Sequence, residues 1–198
     1  EMAGNIGHSG DGLSPEATRR LTALLAEPPR RLSRAVVDGR TAWIKRFDTE
    51  ARPLPKRLHA LASPLLPGFL RASPNVDAGG QALREARKMA RFEAAGFPVP
   101  SLLWREGAVL VLSEVGEIVE PVLARLHAED AARHDALLVE MAAALGRVHG
   151  AGLCHGRPHP RDMFRQDDGT WGFLDFEEEP EAAMPLAAAQ ARDVWLLF

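Results

Sequence analysis

The chain carries one cysteine, Cys154, among its 198 residues. An internal disulfide is therefore excluded, and the lone thiol fits a reducing compartment. No group of His and Cys residues has the spacing of zinc ligands. No uninterrupted apolar run approaches the roughly 20 residues that a bilayer-spanning helix needs. No charged-then-apolar secretion signal opens the sequence. A basic surplus is missing too: the net charge is −3. No global positive field therefore points to nucleic acid. There is no internal repeat. What is present is ordinary for a globular protein, 46% hydrophobic and 26% charged, enough to bury a substantial core as one domain or two small lobes. The expected setting is the cytoplasm.

Residues 1–13, rich in Gly, Asn, Ser and Asp, are expected to be a flexible N-terminus. Ser14-Pro15 then opens a helix as cap and first residue, with Leu21, Leu24 and Leu25 on its apolar face and Pro28-Pro29 as its stop. Ala35-Val-Val and residues 41–47 flank Asp38-Gly39, which predicts a hairpin with a tight turn. On its second strand Ala42, Ile44 and Arg46 share one face, and Trp43, Lys45 and Phe47 share the other. Residues 81–95 have helical spacing, with Gly96 as the stop. Residues 108–112 predict a short buried strand, and residues 135–149 a long helix with Leu137, Leu138, Met141, Leu145 and Val148 on one face. Met163-Phe164 and residues 171–174 are strand-like around the turn Asp167-Asp168-Gly169.

Chemistry concentrates in two stretches, His155-Gly-Arg-Pro-His-Pro-Arg-Asp-Met-Phe164 and Phe173-Leu-Asp-Phe-Glu177. An Asp at the end of an apolar strand is poor β chemistry unless it has a task. Asp175 is suited to holding a divalent cation, and the bland alternative for Asp175 and Asp162 is loop capping. Lys45 is either a half-exposed strand lysine or an ammonium aimed at an anion. Glu85 and Glu93 compete as its partner, with a solvated helix charge as the alternative.

Taken together, the order strand–Lys, helix–Glu, buried strand, helix, His-loop, hairpin, Asp-Phe resembles the protein-kinase-like fold in its small bacterial form. The lipopolysaccharide (Kdo-type) and RIO-type kinases are the most similar families, and the aminoglycoside phosphotransferases a more distant one. The resemblance covers residues 35–198, and its order is more specific than any single motif. It implies an α+β, two-lobed, minimal architecture, with a small mainly-β N-lobe over 14–114 and a mainly-α C-lobe over 115–198. The apolar ending Val194-Trp-Leu-Leu-Phe198 suggests that more chain follows.

The resemblance also implies ATP and Mg²⁺ as cofactors. Lys45 matches the strand lysine of V-A-I-K, and Glu85 the helix glutamate that pairs with it. Glu114, Val115 and Gly116 fall at the hinge whose backbone reads the base. Asp175 matches the metal Asp, and Asp162 stands where H-x-D-x-x-x-x-N has its Asn, keeping an oxygen ligand for the second metal contact. Asp193, in Arg192-Asp-Val-Trp195, is implied to accept hydrogen bonds from the backbone of the catalytic loop.

Three departures matter. Arg157 stands where the family has its catalytic Asp, and a guanidinium cannot serve as a base. It is left to neutralise a phosphate or to pair with Asp162 or Asp175. His155 and His159 are the substitute bases on offer, with a structural role as the alternative for His155. No G-x-G-x-x-G precedes Ala35. Glu177 replaces the Gly of D-F-G, and the run 177–181 is expected to be a solvated surface. Residues 52–73, with four prolines, many leucines and flanking Lys56, Arg57 and Arg71, read either as a peripheral contact with the inner membrane or as a lobe-packing insertion. Cys154 is expected to be a small buried residue, not a nucleophile. Two readings remain open: an ATP- and Mg²⁺-dependent phosphotransferase whose acceptor is a sugar, a lipid or a protein, or a pseudokinase that binds nucleotide or acts as a scaffold.

Overall fold

The computed structural model describes residues 13–26, 28, 30–49 and 73–198. The protein is a mixed α+β structure with a small antiparallel sheet and several helices. Residues 52–72, and with them all but Ser73 of the proposed membrane-contact stretch, lie outside the described residues, as do residues 1–12. Leu13, the last residue of the expected flexible terminus, instead packs against the cluster of Ala17, Leu21 and Ile44. Among the described residues no helix is long and apolar enough to cross a membrane.

Helix α1 (Pro15–Ala26) begins as its cap predicts: the Ala17 amide donates to Ser14 Oγ at 3.1 Å. It packs on a four-stranded sheet ordered β1 (Leu32–Val37), β2 (Arg40–Arg46), β4 (Val109–Ser113), β3 (Leu102–Glu106). The β1–β2 hairpin turns on Asp38 and Gly39, both at positive φ, 48° and 75°. That is the twist a two-residue hairpin favours.

Alternation along the strands divides the sheet into two faces. Ala35, Val37, Ala42, Ile44 and Val111 bury against α1. Lys45 and Phe47 point the other way, together with Leu110 opposite Lys45 and Leu112 opposite Trp43 on β4. There α2 (Ala78–Ala94) covers the sheet through Ala82, Met89 and Phe92. The main core then continues into α4 (Ala131–Gly150) through Leu137, Met141, Leu145 and Val148.

A second, three-stranded antiparallel sheet follows, ordered β5 (Glu117–Ile118), β6 (Met163–Arg165), β7 (Trp171–Phe173). Between β5 and α4 lies α3 (Val119–Glu129), a helix that the sequence reading passed over. Pro121 falls in its first turn, where a missing N–H costs nothing. Helix α5 (Leu186–Leu197) closes the described chain. Both long helices start earlier than their apolar periodicity indicates. The Asp77 carboxylate caps α2 by accepting from the Gly80 amide at 2.7 Å. Asp130 caps α4 by accepting from the Arg133 amide at 3.0 Å. Capping by a short acidic side chain stabilises a helix start by about 1 kcal/mol.

Candidate functional site

The apolar alternation of β2 places Lys45 on the face that α2 covers, and there its ammonium meets Glu85 from α2. Lys45 Nζ donates to the two Glu85 carboxylate oxygens at 2.9 and 2.7 Å. It also donates to Asp175 Oδ1 at 2.5 Å and lies 2.9 Å from Glu177 Oε1. Glu93, the competing partner, is exposed and takes no part. Glu85 is 1% exposed, so this is a buried ion cluster and not a surface pair.

Three carboxylates around one ammonium set opposing pKa shifts. Burial acts to lower Lys45, but Glu85, then Asp175 and Glu177, hold it well above its usual value. Burial pushes the Glu85 carboxyl up to about 7, against the attraction of Lys45. Burial also acts to raise Asp175, but the charge and hydrogen bond of Lys45 win and hold it well below the ordinary carboxylate range. Glu85, Asp175 and Glu177 offer oxygens within 4.8 Å of one another, the spacing of a metal cage. The cation at their centre is the Lys45 ammonium, so the set as it stands is filled.

Asp175 lies two residues beyond the end of β7, after Leu174, and has a φ of 66°. A non-glycine residue in the left-handed region is strained. Here the bend sends the Asp175 side chain towards Lys45 while the next ring goes into the core. Phe176 is fully buried, 4.6 Å from Phe92 and 5.0 Å from His155 between ring centroids. Asp162 reaches the same place from a single 3-10 turn, Pro160–Asp162. Its carbonyl accepts from the Leu174 amide at 2.9 Å, which fixes it beside Asp175. Burial, and then the charge of Asp175, push the Asp162 carboxyl up to about 7.

Lys45, Glu85, Asp162, Asp175 and Glu177 line one end of a cleft of about 540 Å³. The rest of that cleft is largely apolar: Leu32, Trp43, Leu112, Ile118 and Leu174 contribute to its wall, and Glu114, Val115 and Gly116 run along its edge. Gly116 is required by close approach, since a Cβ there would lie 2.0 Å from the Arg165 carbonyl oxygen. Among the described residues neither the Val115 nor the Gly116 amide has a backbone acceptor.

The remaining site residues separate. His155 is 1% exposed and does not line the cleft. Its Nε2–H donates to the Leu174 carbonyl at 3.0 Å, because a carbonyl can only accept. Its Nδ1 is buried without a partner. Burial pushes the ring down to about 4. A substitute base needs an open nitrogen near a reacting atom; His155 Nε2 is engaged and Nδ1 is buried, an arrangement that suits the structural alternative. His159 is partly exposed, its Nδ1 3.5 Å from Glu120 Oε1. Arg157 is exposed, and among the described residues it forms no ion pair with Asp162 or Asp175. Its positive charge, after that of Arg161, still works against the upward shift of Asp162.

Asp193 on α5 is 0% exposed. It accepts from the His155 amide at 2.6 Å and the Gly156 amide at 2.8 Å, as expected for the loop. Cys154 is buried, and burial pushes its thiol far up, so it is not a nucleophile.

The acidic run 177–181 is not the solvated surface expected of it. Arg84, Arg87 and Lys88 of α2 hold it. Arg84 donates to the Glu177 carbonyl at 3.2 Å. Arg87 pairs with Glu179. Lys88, 1% exposed, donates to the carbonyls of His155 at 3.0 Å and Glu178 at 2.8 Å and lies 3.2 Å from the Glu181 carboxylate. The run carries enough negative charge to read as surface, and only the basic face of α2, itself a plausible surface, shows otherwise. Arg31 was missed as well. It lines the cleft and pairs with Glu177, but in sequence Arg30-Arg31 is an unremarkable basic doublet after two prolines.

No protein-family model matches this sequence, and no curated protein matches it either.

Proposed function

We propose that the protein is a nucleotide-binding phosphotransferase of the protein-kinase-like type. In this reading the four-stranded sheet with α1 and α2 forms a small N-lobe over 14–114, and residues 115–198 form the C-lobe. The observation that carries the reading is Lys45, held by Glu85 and Asp175 at the acidic end of an apolar cleft. A rigidly aimed ammonium suits the phosphates of ATP. The apolar wall around Trp43 and Leu112 suits a planar base, and the Val115 and Gly116 amides offer donors at its edge.

The donor set also fits Mg²⁺. Asp175 and Asp162 are neighbouring carboxylates beside the phosphate-facing lysine, and hard oxygen ligands are what this ion takes. When bound it would neutralise charge on the transferred phosphoryl group. Lys45 would bind and orient the phosphates, Glu85 would hold Lys45 in place, and Asp193 and Lys88 would set the loop that carries His155 and Arg157.

Arg157 favours a second reading, a pseudokinase that binds nucleotide or acts as a scaffold. An exposed guanidinium replaces the base, and the neighbouring imidazole of His155 is sealed. Phosphoryl transfer depends more on positioning and charge neutralisation than on a base, so loss of the Asp slows transfer without forbidding it. The phosphate acceptor, whether sugar, lipid or protein, is left open by this chemistry. The buried free thiol of Cys154 fits a cytoplasmic setting.

Calorimetry with ATP, with and without Mg²⁺, followed by ADP release, separates the readings. We expect Mg²⁺-dependent ATP binding that Asp175→Ala abolishes, with slow turnover. Absence of ATP binding to the wild type would remove the nucleotide reading altogether. Binding without turnover, with turnover restored by Arg157→Asp, would establish the pseudokinase.

A further inference from the structure

Arg31 and Lys45 converge on one point from different directions. Arg31 immediately precedes β1, and its guanidinium carbon lies 5.7 Å from the centre of the Phe47 ring. Lys45 Nζ lies 5.4 Å from the same ring centre. Both cations also meet the Glu177 carboxylate: Lys45 at 2.9 Å, and Arg31 through a direct hydrogen bond to the same oxygen, Oε1.

Glu177 is surplus to Lys45, which Glu85 and Asp175 already neutralise. Its Oε1 therefore faces a guanidinium and an ammonium at once, as a single phosphate oxygen would. The alternative source of phosphate contacts, a glycine-rich turn, is not found here. Gly116 is the only glycine that lines the cleft among the described residues. The tip of the β1–β2 hairpin is tied elsewhere, with the Ser14 amide donating to Asp38 Oδ2 at 3.1 Å.

We propose that Arg31 and Lys45 form a two-cation clamp for a polyphosphate chain, and that Glu177 occupies the clamp until the ligand displaces it. The main chain at Glu177 is held, its carbonyl accepting from Arg84 at 3.2 Å. Its side chain is 23% exposed. Displacement therefore needs a side-chain rotation and leaves the backbone in place. Five charged groups meet here, Arg31 and Lys45 against Glu85, Asp175 and Glu177. A polyphosphate arriving while Glu177 still faced inward would meet that excess negative charge. Outward rotation removes that excess and withdraws Glu177 Oε1 from both cations, while Glu85 and Asp175 still hold Lys45 in place. The proposal takes the identity of the ligand from the nucleotide reading but is tested apart from it.

The full-length chain would be titrated calorimetrically, in Mg²⁺, with inorganic tripolyphosphate, ATP and adenosine. We expect Arg31→Gln to weaken tripolyphosphate and ATP about tenfold, the loss of one charge-assisted contact, and to leave adenosine unchanged. Arg31→Lys, which keeps the charge and loses the fork, should fall between Arg31→Gln and wild type. Glu177→Gln should tighten tripolyphosphate and ATP several-fold and leave adenosine unchanged. Thermal melts check that each variant is folded, and if Arg31→Gln is not, Arg31→Lys and Glu177→Gln decide.

The clamp is overturned if wild type does not bind tripolyphosphate, if the folded Arg31 variants bind it as wild type does, or if Glu177→Gln weakens it. Tripolyphosphate binding with these responses, but no ATP binding, would keep the clamp and remove the nucleotide reading. ATP binding insensitive to all three substitutions would do the reverse.

Discussion

Lys45 balances three carboxylates in a space largely closed to water, and its loss would be felt unequally by them. Glu85 is the most deeply buried of its partners. Removing one member of a buried ion pair typically costs about 3–5 kcal/mol, because the other is left uncompensated. Lys45→Met therefore should cost on that order at pH 8.5. It should cost less at pH 5.5, where Glu85, already at about 7 in the folded protein, takes up a proton. Urea unfolding at both pH values checks this, and an equal loss at both would show that protonation of Glu85 between them does not offset the loss of Lys45.

Asp162 has the clearest pH signature. Its folded-state value of about 7 stands above the ordinary 3.8. The protonated form is therefore favoured by folding. The associated stability is fully present below about pH 4 and is lost as pH rises through about 7. Asp162→Asn removes the charge that burial penalises. Without divalent cations, its stability relative to wild type should climb across that window by roughly 2–4 kcal/mol and then level off. A flat difference in chemical denaturation from pH 4 to 8 would count against a buried, ionising Asp162.

At the scale of elements, α2 acts as the bar to which the site is fastened. One helical face supplies Arg84, Glu85 and Lys88, spaced so that neighbouring turns point the same way. Glu85 holds the strand lysine, and Lys88 holds the His155 loop and the run after Asp175. The site is thus assembled from the sheet, the helix and the loops by side chains of a single helix. The edge of the cleft depends on a different device, the approach of Gly116 to the carbonyl of Arg165 on β6. Gly116→Ala would force those backbones apart and disturb the pairing of Glu117 with Arg165. We expect a loss of about 2 kcal/mol or more, in the range of overpacking strain, together with weaker ATP binding. A variant with wild-type stability and affinity would show that the β5–β6 contact yields freely.

For the whole molecule, a ligand bound between the two sheets would link their stabilities. Any ligand that binds only the folded state stabilises it by about 2.7 kcal/mol at one hundred times its dissociation constant. Mg-ATP should therefore raise the melting temperature of wild type in a concentration-dependent way. Asp175→Ala should abolish that rise. Because Asp175 occupies the left-handed region at φ 66°, replacement by Gly would relieve strain that Ala keeps. Comparing apo melting temperatures of Asp175→Gly and Asp175→Ala isolates that backbone cost, with the Gly variant expected to be the more stable. Equal melting temperatures would show that the bend carries no strain.

Local rules settled much at this scale. The positive-φ pair Asp38-Gly39 fixed the hairpin, and alternation along β2 put Lys45 on the face opposite Ile44. Helical spacing located α2 and α4, and the caps at Asp77 and Asp130 moved their starts outward, because one short side chain overrides weak propensity at Gly79-Gly80. Helix α3, with a proline in its first turn, carried too little periodic signal to be seen. Such rules act over a few residues. The cluster around Lys45 joins groups 40 and 130 positions apart along the chain, and no local pattern can state which charges will meet. Only the tertiary structure folded the run 177–181 onto α2, sealed His155 and brought Arg31 to Glu177. The physical reason is burial: charge is cheap in water wherever it lies in sequence, and it acquires a required partner only where packing removes the water.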